Sequence, residues 1–153
     1  MPSTFICVSF VFSILICGIA VLRGGPPERM AGYLVGAAWL LVFFGEPQIS
    51  RTNLTYLFLI ADAVLAVGLL ALAIRYAVLW LGAAMILQSG AFALHAWLLG
   101  ESGATVEVRN QYILGVNLLS YGVLTSLLVG TVLNWRDRNG TDMPWLSLGP
   151  QTT

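Results

Sequence analysis

Apolar residues in this chain neither alternate nor recur at helical spacing; they run on continuously, broken by short polar interruptions. Five such runs stand out, at residues 4–22, 30–45, 54–74, 77–99 and 112–133. A helix rising 1.5 Å per residue needs about 20 predominantly apolar residues to cross a hydrocarbon core of about 30 Å. Four of the runs meet or approach that length. The run at 30–45 is shorter and stops at Glu46-Pro47, but leaving it out would put its neighbours on the wrong sides of the bilayer, so it is counted as a span. Arg23-Gly24-Gly25-Pro26-Pro27 and Gly100-Glu101-Ser102-Gly103 form turns between runs. Only Arg75-Tyr76 separates the third run from the fourth, which predicts an antiparallel helical hairpin. The expected architecture is all-α: a polytopic integral membrane helical bundle with five transmembrane helices over residues 1–133, no soluble domain, and a short tail at 134–153.

Composition sharpens this expectation. Of the 153 residues, 58% are hydrophobic and 9% charged, against about 25% charged in soluble domains. So few charges cannot cover a soluble enzyme, sustain a disordered chain or build the basic patch that nucleic acid requires. The bilayer is thus the first expected partner. All seven basic residues are arginines. With five spans, Arg23, Arg29, Arg75, Arg136 and Arg138 share one side and only Arg51 and Arg109 the other, which predicts an outside N-terminus and a cytoplasmic tail in a bacterial inner membrane. No Lys or Arg precedes the first run and no Ala-x-Ala follows it, so it is expected to be an uncleaved span. Cys7 and Cys17 are ten positions apart on one helix, roughly 15 Å, too far to pair. Trp39, Trp80, Trp97 and Trp135 fall near the ends of runs, where belts of interfacial tryptophan are expected.

Candidate chemistry is confined to a few residues. An ionisable group at hydrocarbon depth is a functional hypothesis in itself, and Asp62 in the third run and His95 in the fourth are two plain cases. Glu46 caps the second run. In the predicted topology Asp62, His95, Glu46, Asn117 and Tyr112 occupy the outer half of the bilayer, with Gln88, Ser120 and Tyr121 near its middle. Gln88 and His95, seven apart, share a helix face; Asn117 and Tyr121, four apart, are expected to do likewise. Two interpretations stand. The cluster is either interhelical hydrogen-bond glue, worth about 0.6–2 kcal/mol per bond, or a site where Asp62 and His95 exchange a proton or hold a cation. A lone histidine cannot give haem two axial ligands within one copy, zinc would need three or four ligands where His95, Asp62 and Glu46 are the candidates, and nothing demands a quinone. No metal or cofactor is therefore expected.

Small residues form three stripes that let helices approach closely: Gly32 and Gly36; Gly122, Ser126 and Gly130; and Ser9, Ser13 and Cys17. The chain lacks GxSxG, HExxH and phosphate-loop motifs. The first expectation for function is a non-enzymatic membrane subunit acting through helix association, with copies of itself or with other membrane subunits as an accessory or assembly component. The alternative is a small ion- or proton-coupled transporter or channel that uses Asp62 and His95 in an outward-facing polar cavity.

Overall fold

Capping chemistry, more than apolar length, sets where the helices begin and end. The computed structural model describes residues 4–45, 51–100 and 105–139, with side chains over 8–45, 56–100 and 105–139. Within them lie five helices, α1 (Thr4–Arg23), α2 (Pro26–Gly45), α3 (Arg51–Tyr76), α4 (Leu79–Gly100) and α5 (Val106–Arg138), and no strand among the described residues. The α1–α2 connection is only Gly24-Gly25, so α2 begins four residues earlier than its apolar run. Pro26 takes the first helical position, where its missing N–H and fixed φ are harmless. Glu28, two residues on, reaches back to accept a 2.8 Å hydrogen bond from the Gly25 amide, the carboxylate half of a capping box.

The other boundaries move for similar reasons. Thr105 caps α5, its hydroxyl accepting from the Val108 amide, which starts that helix ahead of the run at 112–133. At 33 residues α5 is about 50 Å long, so its polar ends project past the apolar stretch. Ala77 ends α3 with φ 50°, and its N–H bonds the Ala73 carbonyl at 2.9 Å. This is the left-handed stop that glycine usually supplies, and it folds α4 back on α3 as the expected hairpin.

The helices form a closed ring in chain order: α1 packs on α2, α2 on α3, α3 on α4, α4 on α5 and α5 back on α1, with α2 and α5 also touching across the bundle. One continuous apolar core joins them, built from Ala20, Val35, Leu69, Leu81, Leu124 and Leu127 among others. The outer surface is apolar too: Leu79 is 91% exposed, Leu22 77% and Ile74 74%. Such a surface suits lipid and not water.

Among the described residues three helices are long and apolar enough to cross a membrane, over Tyr56–Tyr76, Leu79–Gly100 and Val106–Arg138, and Val8–Arg23 is a shorter apolar helix. This falls short of the five spans expected. Two helices make the difference: α1, whose described side chains give only the shorter apolar stretch Val8–Arg23, and α2, whose first turn, Pro26-Pro27-Glu28-Arg29, is polar and leaves an apolar length near 16 residues.

All three small-residue stripes are used inside the chain. A methyl at Gly32 would sit 3.2 Å from the Cys17 carbonyl of α1, one at Gly122 would press on Leu87 of α4, and one at Gly130 would lie 2.5 Å from the Trp80 ring. Gly36 faces the Cys17 side chain, and Ser126 bonds back to the Gly122 carbonyl. Ser9 and Ser13 are buried, Ser13 donating to the Ser9 carbonyl. Trp80 is half-buried against Gly130, while Trp97 and Trp135 are nearly half exposed.

Candidate functional site

Asp62 lies near the middle of α3, in a stretch otherwise apolar, and its two oxygens meet two residues of α4. Oδ1 accepts a 2.8 Å hydrogen bond from Gln88 Nε2. Oδ2 is 3.0 Å from His95 Nδ1. Gln88 and His95 are two turns apart on one face of α4, so one carboxylate spans them, as the seven-residue spacing allows. The Gln88 and His95 side chains are buried, and Asp62 is 20% exposed.

The imidazole geometry fixes where a proton must be. Nδ1 is 2.9 Å from the Ala91 carbonyl oxygen, which can only accept, so Nδ1 carries a hydrogen. That hydrogen is aimed at the carbonyl. Asp62 Oδ2, itself sealed from solvent, is left with a close charge contact but no aligned hydrogen bond. The ring is held by Phe58, 5.9 Å away between centroids, and by Tyr112 edge-on at 5.5 Å.

These groups line a cavity of about 290 Å³ to which all five helices contribute. Its polar wall carries Asp62, Gln88, His95, Tyr112, Asn117 and Ser120, with Ser9 from α1; the rest is apolar and aromatic, including Val35, Trp39 and Phe58. Asp62, His95 and Tyr112 are the titratable groups on it, and no arginine lines it. Ile113, also on the wall, is 48% exposed, so the cavity reaches the bundle surface beside α5. Protein interiors hold few voids larger than a water molecule. A polar network that served only to join helices would have closed around itself.

The structure brings Asp62, His95, Gln88, Asn117, Tyr112 and Ser120 together but turns Tyr121 away. The Tyr121 hydroxyl instead pairs with Ser9 Oγ at 2.7 Å, joining α5 to α1. Four residues advance a helix by about 400°, and that extra 40° is enough to move Tyr121 from the cavity to the neighbouring helix. Trp39, expected at the membrane interface, lines the cavity. Glu46 lies outside the described residues. Among the described residues no three His, Cys, Asp or Glu side chains gather to hold a metal ion.

A second buried carboxylate is one that hydropathy alone does not single out. Glu28 is 2% exposed, and besides the Gly25 amide it accepts from Asn134 Nδ2 of α5 at 3.1 Å. Around it Arg29 Nε donates to the Gly24 carbonyl at 3.0 Å and the Arg138 guanidinium donates to the Arg23 carbonyl. Gly25 is required here, since a methyl would lie 2.5 Å from the Asn134 amide. The signal was present: Gly-Pro-Pro-Glu fills the cap and first three positions of a helix, with an acid at the third.

Fold and cavity together define a class, an all-helical bundle with three helices apolar enough to cross a membrane and an Asp–His pair inside it. No family model, curated protein or solved structure matches this chain at a significant level.

Proposed function

We propose that this protein moves a small solute across a membrane, with the Asp62–His95 pair handling the charge that accompanies it. The observation carrying this reading is that the pair lines a cavity, where hydrogen-bond glue would be packed shut. The competing role, a subunit that works by helix association, has one of its sequence supports weakened, because residues of all three small-residue stripes pack within the chain. In the proposed topology all five helices cross, α1 and α2 completing the ring around the cavity, with the N-terminus outside a bacterial inner membrane and the tail inside. The site then opens toward the outer half, because it uses the first half of α3, the second half of α4 and the first half of α5.

The test is dissipation of an imposed pH gradient in vesicles containing the purified protein, followed with an enclosed pH dye. A panel of small amines, amino acids, carboxylates and sugars is added in turn. The expected result is acceleration by one chemical class with wild type and none with Asp62→Asn, at a stability lowered by about 1 kcal/mol or less. Equal rates for variant and wild type, or a variant that loses stability and nothing else, would return Asp62 to the role of glue.

A further inference from the structure

Burying a net charge in hydrocarbon is costly, and this constrains the cavity. Facing it are Asp62 from α3, His95 from α4 and Tyr112 from α5; the residues lining it from α1 and α2 are not titratable. Net neutrality requires the Asp62–His95 pair to hold one proton beyond a carboxylate and a neutral imidazole. Whether that proton resides formally on oxygen or nitrogen does not alter the count.

An incoming ligand must respect the same balance. An anion would meet a carboxylate and no arginine. An alkali ion would have to give up its water against walls that are apolar over most of the cavity. The walls instead suit an apolar body, and Trp39, Phe58 and Tyr112 line it with aromatic rings that can take a diffuse positive charge, with the Asp62 carboxylate on the polar wall.

We infer that the cavity binds a monovalent organic cation, its charged head at Asp62 and its apolar body among Trp39, Phe58 and Val35, and that each cation bound expels one proton from the Asp62–His95 pair. The exchange is balanced: the N–H or O–H proton leaves to water, the cation takes its place, and the buried charge stays at zero. This rests on the transport reading and gives it a substrate class and a coupling ratio of one to one.

Titration of the purified protein with benzyltrimethylammonium in weak buffer tests it, with heat and a pH dye read together. One proton is expected per cation bound, with affinity rising about tenfold per pH unit while the pair still holds its proton. Asp62→Asn is expected to lose both signals, and Phe58→Ala to bind about tenfold more weakly with the proton count unchanged. If Asp62→Asn fails to fold, the wild-type proton count and pH slope still decide. Cation binding without proton release overturns the proposal, as does equal affinity for the neutral carbon isostere; the latter leaves a solute site of a different class. Binding of neither compound at any pH overturns the cation proposal, and if no solute moves protons in vesicles the transport reading falls with it.

Discussion

Glu28 and Asp62 are both carboxylates withdrawn from water, and they sit in opposite halves of the bundle doing different things. Glu28 lies against a helix start, accepting from a backbone amide and from Asn134 in a turn so tight that a methyl on Gly25 would not fit. Asp62 has one oxygen satisfied by Gln88 and the other facing an imidazole whose hydrogen is directed elsewhere, beside a 290 Å³ cavity. Burial of an acid alone therefore does not mark a site. What separates the two is the completeness of the hydrogen bonding and the space in front of it.

Substitutions can break this contrast, starting with the largest expected effect. Glu28→Ala strands the Gly25 amide and the Asn134 side chain in a buried corner, and a loss of about 2–4 kcal/mol is expected in reversible unfolding in mixed micelles. Gly130→Ala follows, because its methyl would meet the rigid Trp80 ring; about 1–3 kcal/mol of destabilisation should appear in the same assay, relieved when combined with Trp80→Leu. Asp62→Asn is expected to cost about 1 kcal/mol or less, since an amide can keep the Gln88 bond. A cost as large as that of Glu28→Ala would erase the distinction between the two acids. Smallest, and opposite in sign, Ala77→Gly relieves a left-handed alanine at the α3–α4 turn and should raise the melting temperature, gaining about 0.5–1 kcal/mol.

Much of this contrast was readable from sequence on one side only. Asp62 and His95 stand out because each interrupts a long apolar run, and their pairing through α4 follows from the hairpin at Arg75-Tyr76 together with the seven-residue spacing to Gln88. Glu28 does not stand out, because a hydropathy window sees Pro-Pro-Glu-Arg as the end of an apolar segment while capping chemistry makes it a beginning. Their distance from the ends of runs places Trp39 and Trp80 at the interface. That distance gives depth and not direction, and both rings point inward. Tyr121 shows the same limit, since a shared face on α5 could not say which neighbouring helix lay 40° further round. The cavity itself leaves no trace in sequence, being a property of how five helices meet.

The chain contains one histidine, so protein labelled with ¹⁵N-histidine gives ring resonances from His95 alone, one each for Nδ1 and Nε2, in lipid bilayers. Hydrogen–deuterium exchange at its Nδ1 therefore measures directly whether the Asp62–His95 pair borders an accessible cavity. Exchange complete within sample preparation, with a resonance that moves when an organic cation is added, is the predicted result. An Nδ1 proton that survives days in heavy water, with a resonance indifferent to added solute, would show a sealed interhelical contact and contradict the account.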